Sequence, residues 1–263
     1  METRDLPAGT APDGPATHTR TRLKPLWVVQ DEGGKGQPLA FILAGYGDVW
    51  VALGLARALG AEHAVYGLRP PENSSGMKAR ELAALYVEHL RAVQPNGPYC
   101  LSGYSAGAVL ALEMAIQLTA KGEIVGLVAV LDPLFIRYTR FEHLSYLALQ
   151  RLCAVVEKIL PVKPRVMQIL SAMFNDKGLD RNLETLVGYT PDHYAGEIVF
   201  YQARWSICRS PLLVRQWKWF TRARLRLETV PGDHHTFLRP PHVAGLAERL
   251  RSALQRVGGP GSS

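Results

Sequence analysis

The sequence predicts an α/β fold, a mostly parallel central sheet covered by helices on both faces and interrupted once by a helical insertion. Three observations lead there. Short apolar runs alternate with longer amphipathic ones through most of the 263 residues, the pattern of strands joined by crossover helices. Apolar residues make up 47% of the chain, enough for one large core without disulfide support. A Gly-x-Ser-x-Gly element, Gly103-Tyr104-Ser105-Ala106-Gly107, lies where a predicted strand gives way to a predicted helix.

Taken in order, residues 1–24 are rich in Pro, Gly, Thr and Arg and read as a flexible tail or linker remnant. One folded domain is expected over 25–257, with a second flexible tail at 258–263. Leu26–Gln30 reads as an edge strand and Gly33–Gln37 as a hairpin loop. Core strands are predicted at Leu39–Leu43, Ala64–Leu68, Tyr99–Ser102, Gly126–Leu131, Ile198–Gln202 and Leu225–Val230. Helices are predicted at Val49–Leu59, Ala79–Val93, Ala106–Ala120 and Val243–Arg256. In the second of these Leu82, Leu85, Tyr86, Leu90 and Val93 share a face, as packing on a sheet requires. Residues 134–193 break the rhythm. Apolar runs at Leu144–Leu149 and Val166–Leu170, separated by Pro161 and Pro164, predict a helical lid over the site.

Ser105 is the candidate nucleophile. A serine on a sharp strand-to-helix turn lifts its hydroxyl clear of the sheet, and flanking glycines let the backbone cross itself closely. The helix that follows points its first N–H groups at any developing oxyanion. A serine hydroxyl needs a base, and the base needs an orienting acid. In hydrolases built on this turn the chain order is serine, acid, histidine. Asp132 ends the apolar run Gly126–Leu131, on the rim where open α/β sheets hold their ligands. The strand Leu225–Val230 runs into Pro231-Gly232-Asp233-His234-His235, the one histidine pair in a loop directly after a late strand. His234 is assigned as the base, with His235 as the alternative. His18 falls in the tail, His63, His89 and His242 read as helix or loop surface, and His143 and His193 fall in the insertion.

With these residues in place, Lys35 to Arg256 resembles the thioesterase domains that end modular non-ribosomal peptide and polyketide synthases, a branch of the α/β-hydrolases. The resemblance rests on several features in order: Leu39–Leu43 with the turn Ala44-Gly45-Tyr46-Gly47-Asp48, then Val65-Tyr66-Gly67-Leu68-Arg69-Pro70-Pro71, the elbow and Leu131-Asp132. Tyr194–Tyr201, Trp217 and Val230–His234 follow. It implies that Ser105, Asp132 and His234 act as nucleophile, acid and base. Backbone N–H groups of Ala106 and of Gly45 and Tyr46 would then hold the oxyanion. It also implies an acyl or peptidyl substrate carried on the phosphopantetheine arm of a carrier protein, with no metal and no bound cofactor. Tyr104 in the elbow is closer to chain-terminating domains than to stand-alone editing thioesterases, which more often have histidine there. Two positions depart from the family pattern. Ala44 stands where a histidine is common, which bears on the oxyanion loop, and Ala108 where a glycine is common, which bears on helix packing.

Composition narrows the remaining classes. Three cysteines, Cys100, Cys153 and Cys208, are far apart and lack ligand spacing, which suggests reduced thiols in the cytoplasm. No signal peptide is expected, since residues 1–24 lack a central apolar stretch, and no apolar segment approaches the roughly 20 residues that span a bilayer, so no membrane partner is expected. A net charge of +7 comes without a nucleic-acid motif or interleaved aromatics, which argues against nucleic acid. Arg215, Lys218, Arg222, Arg224 and Arg226 supply much of that charge and suit an acidic protein partner. The rival readings are a carboxylesterase or lipase, a stand-alone editing thioesterase, and a non-catalytic carrier-binding module.

Overall fold

The computed structural model describes residues 26–43, 49–71, 74, 76–133, 144–145, 148, 151, 183–206 and 209–258. Seven strands form one sheet: β1 (Leu26–Gln30), β2 (Leu39–Ile42), β3 (Val65–Leu68), β4 (Tyr99–Tyr104), β5 (Val125–Leu131), β6 (Ile198–Ala203) and β7 (Leu225–Val230). Their spatial order is β1-β3-β2-β4-β5-β6-β7. β1 runs antiparallel to β3, and every other pairing is parallel. The connecting helices are α1 (Val49–Leu59), α2 (Ala79–Val93), α3 (Gly107–Ala120), α4 (Pro211–Phe220) and α5 (Val243–Gly258).

This order explains where a site can form. From β2 the chain crosses through α1 to β3 on one side, whereas from β4 it crosses through α3 to β5 on the other. Right-handed crossovers in opposite directions place their helices on opposite faces of the sheet. Accordingly α1 packs against α5, while α2 packs against α3. The chain therefore parts between β2 and β4, and ligands of open α/β sheets bind at such a switch point, beyond the strand C-termini. Ser105 follows β4 directly.

The central strands carry the core. β2, β3, β4 and β6 are buried along their whole length, as strands covered on both faces must be. In α2 the buried positions are Ala79, Leu82, Ala83, Tyr86, Val87 and Leu90. Leu85 is only partly buried, and Val93, the last residue of the helix, is 42% exposed.

Two expectations need correction. Gly33–Gln37 is not a hairpin loop, because β3 lies between β1 and β2. The segment instead crosses the turn before β3, where Gly36 N–H donates to Glu62 O at 2.9 Å. A Cβ on Gly36 would lie 2.5 Å from His63 Nδ1, so glycine is needed there for close approach. For the same reason His63 is buried rather than on the surface, with Nδ1 at 3.0 Å from Gln37 O.

α4 was not foreseen from sequence. Ser210 caps it through Leu212 N–H, Pro211 opens it, and Leu213, Trp217 and Phe220 face inward. Most of the expected lid, 134–193, lies outside the described residues. The described return segment is anchored: Leu183 and Leu186 are buried, and Tyr189 O–H donates to the Glu113 carboxylate of α3.

Candidate active site

Ser105 sits at φ 54°, a left-handed conformation that is uncommon for a residue with a side chain. Its N–H is held by Leu131 O at 3.0 Å, which ties the turn to the neighbouring strand. The two glycines are sterically required. A Cβ on Gly103 would run into the Gly107 carbonyl and lie 2.5 Å from Ala108 Cα. A Cβ on Gly107 would press into the carbonyl of Ile42, 3.0 Å from its carbon. The helix can thus start directly beneath the turn and against the end of β2. Ala106 N–H, at the head of α3, makes no hydrogen bond among the described residues and is placed to receive negative charge. Gly45 and Tyr46 lie outside the described residues.

The structure brings the three sequence-predicted side chains together. His234 Nε2 lies 3.2 Å from Ser105 Oγ, and His234 Nδ1 lies 2.7 Å from Asp132 Oδ2. All three residues are buried. With a proton on Nδ1, the imidazole donates to the carboxylate and offers Nε2 as acceptor to the serine hydroxyl. Asp132 sits at φ 41°, a region that aspartate tolerates better than most residues. Its N–H donates to Tyr201 O at 2.7 Å. Ala203 N–H donates to Oδ1 at 3.1 Å and Ser206 Oγ–H to Oδ2 at 2.6 Å.

His235 is separated from this chain of bonds. Its ring stands edge-on to His234, with centroids 5.3 Å apart. Burial first, and then the neighbouring His234, hold its pKa below the ordinary histidine value. Asp233 caps its own loop, accepting from His235 N–H at 2.9 Å and Thr236 N–H at 3.0 Å. Burial pushes its carboxyl pKa up, but those bonds and the Thr236 hydroxyl outweigh it and leave the pKa lowered.

Two residues around the site went unassigned in the sequence reading. Tyr104 O–H donates to the His234 carbonyl at 2.8 Å, and its ring lies 5.1 Å from the imidazole. The residue before the serine therefore holds the backbone of the histidine. Ser206 holds the carboxylate. Tyr104 was visible inside the motif, whereas nothing in the sequence near Ser206 marks it. Among the described residues no group of three or more His, Cys, Asp or Glu side chains could hold a metal ion.

A parallel sheet with a nucleophile elbow, an imidazole in reach of its hydroxyl and a buried carboxylate behind the imidazole defines a serine hydrolase of the α/β-hydrolase architecture. Comparison with known proteins narrows the class. The family model of the thioesterase domain matches residues 44–254, and the chain belongs to that family. Nonribosomal peptide synthetase atrA of Aspergillus terreus is 30% identical over 280 residues, covering 89% of this chain and 30% of that protein. This chain thus spans under a third of the length of that relative. Among solved structures, the NocB thioesterase domain from the nocardicin cluster superposes with a TM-score of 0.65 at 25% identity, covering 89% of this chain and 99% of that one. The same NocB domain in covalent complex with a fluorophosphonate nocardicin G analog gives a TM-score of 0.64 at 25% identity, with the same coverage.

Proposed function

We propose that this domain releases an acyl or peptidyl chain from the phosphopantetheine arm of a carrier protein through an acyl-serine on Ser105. His234 Nε2 takes the Ser105 proton as the oxygen attacks the thioester carbonyl. The carbon–sulfur bond then breaks, and the thiol leaves with the proton returned by His234. Asp132 fixes the His234 tautomer and stabilises the imidazolium formed on the way. Backbone N–H groups of Ala106, Gly45 and Tyr46 receive the oxyanion, each such donor being worth about 3 kcal/mol of barrier. Water, or an amine or hydroxyl of the substrate itself, attacks the ester in the second half. His234 accepts that proton and returns it to Ser105.

The observation that carries this reading is the unbroken run of short contacts from Ser105 through His234 to Asp132, in a chain of the thioesterase-domain family. Charge supports the partner. Residues 203–227 contain no Asp or Glu, and Arg204, Arg209, Arg215, Lys218, Arg222 and Arg224 are all exposed, which suits an acidic carrier protein. Arg226 is excluded from that surface because it pairs with Glu228 at 3.2 Å. A reducing, cytoplasmic setting accords with Cys100, a free and buried thiol whose pKa burial pushes up to about 12. No helix among the described residues is long and apolar enough to cross a membrane.

The test is intact-mass spectrometry of the domain mixed with acyl-loaded carrier protein, an acyl thioester of free pantetheine, and a simple acyl ester. An adduct on Ser105 that forms faster from the carrier than from either small molecule supports the proposal. Preference for the simple ester would replace it with a carboxylesterase. No adduct from any donor would leave a binding module.

A further inference from the structure

Ser206 belongs to no motif and lies 74 residues from Asp132 in sequence. The backbone nonetheless delivers it to the carboxylate by a specific route. After β6, Arg204 N–H donates to Val230 O at 2.8 Å and Trp205 N–H to Gly232 O at 3.1 Å. These two bonds join the segment after β6 to the end of β7 and to the loop that carries His234. Ser206 N–H then closes a turn onto Ala203 O at 3.2 Å, which directs its side chain inward while Trp205 stands 64% exposed. The Ser206 hydroxyl is buried and meets Asp132 Oδ2 at 2.6 Å, the same oxygen that faces His234 Nδ1 at 2.7 Å.

The backbone of Asp132 is fixed by its bond to Tyr201 O, but that leaves its carboxylate free to rotate. Ala203 N–H holds Oδ1 and Ser206 holds Oδ2, so two donors on different oxygens define one plane. His234 is oriented by whatever lies in that plane. We propose that Ser206 is a positioning residue of the relay: through its hydrogen bond to Oδ2 it locks the Asp132 carboxylate in the plane that orients His234 toward Ser105. A short O–H···O⁻ bond in a buried site is suited to that task. The inference rests on the relay described under the proposed function, and it adds a residue with no contact to substrate.

The test uses Ser206→Ala, Ser206→Thr and Asp132→Asn in the whole chain, with turnover of an acyl thioester. Ser206→Ala is expected to lower kcat about tenfold to a hundredfold, the scale of a small misplacement of a catalytic group. KM should stay within about twofold. The thermal midpoint is expected to fall by only about 3–10 °C, the worth of one hydrogen bond to a buried charge, while the low-field proton resonance of the His234–Asp132 hydrogen bond moves. Ser206→Thr, which keeps the hydroxyl, is expected to recover most of the rate. In the Asp132→Asn background Ser206→Ala should cost less than about twofold more, because both act through one carboxylate. Unchanged kcat in Ser206→Ala, an unmoved resonance, or additive losses in the double variant would overturn the proposal. Full turnover in Asp132→Asn alone would instead remove the relay itself, and Ser206's role with it.

Discussion

Asp132→Asn replaces one carboxylate oxygen by an amide nitrogen, and the surrounding donors decide which one. If the NH₂ took the place of Oδ1 it would face Ala203 N–H, now 3.1 Å from that oxygen. Two donors would then oppose each other in a buried site, a loss of about 1–3 kcal/mol. With the amide oxygen at Oδ1, Ala203 keeps its acceptor and the NH₂ faces Ser206 Oγ and His234 Nδ1. Ser206 can rotate to accept, since a hydroxyl serves in either sense. His234 Nδ1 must also accept, which moves the ring proton to Nε2. That nitrogen lies 3.2 Å from Ser105 Oγ and can then no longer take the serine proton. The fold keeps its bonds while the base is held in the wrong tautomer. Where this has been isolated in a serine triad the loss in kcat is about 10⁴-fold, about 5.5 kcal/mol of barrier at 1.36 kcal/mol per decade. Steady-state turnover of an acyl thioester reads the rate, and thermal melting reads the fold. A variant within tenfold of the parent kcat, with an unchanged melting midpoint, would refute the tautomer argument and with it the role given to Asp132.

Other expected outcomes follow from the same geometry. His234→Ala should abolish turnover while His235→Ala keeps it within about tenfold, because only the former ring reaches Ser105; comparing their kcat values is decisive, and the reverse ranking would move the base by one position. Asp233→Ala removes the acceptor for two backbone N–H groups and should destabilise the domain by about 0.5–2 kcal/mol, the usual worth of such a cap. Since the folded Asp233 pKa is lowered, its stabilising contribution is fully present above the unfolded carboxylate value, about 3.9. It is lost as pH falls below that value and through the folded one. Melting curves of parent and variant should therefore converge in acid and separate toward neutrality. Trp217→Ala empties a fully buried site edge-on to Phe200, with centroids 6.0 Å apart. It should cost about 3–5 kcal/mol in denaturant titration; a loss under 1 kcal/mol would mean that α4 is not packed as described.

Much of this was legible in the residues because the period of burial was written plainly. β6, β7 and the helices α1 and α2 match their predicted ranges to within one residue, since apolar runs, alternation and a helical repeat leave few alternatives. The meeting of Ser105, His234 and Asp132 was legible for another reason: a required chain order left one aspartate and one loop histidine pair in the right places. What failed depended on spatial order. Gly33–Gln37 looked like a hairpin because neighbours in sequence usually pair, yet β3 is inserted between the two strands. His63 was misread because its burial comes from that crossing segment. α4 was hidden behind its cations, although Ser210-Pro211 followed by Leu213, Trp217 and Phe220 is a helix start with an inward face. Ser206 had no local signal, since its role exists only where the ends of β5, β6 and β7 meet.

The central claim is that Ser105 is activated by His234, and a serine-directed fluorophosphonate tests it with the fewest assumptions. Intact-mass analysis is expected to show one adduct per chain, with peptide mapping placing it on Ser105. Ser105→Ala should show none, and His234→Ala should label far more slowly while melting normally. Full labelling of Ser105→Ala, or equal rates in the parent and His234→Ala, would contradict the account.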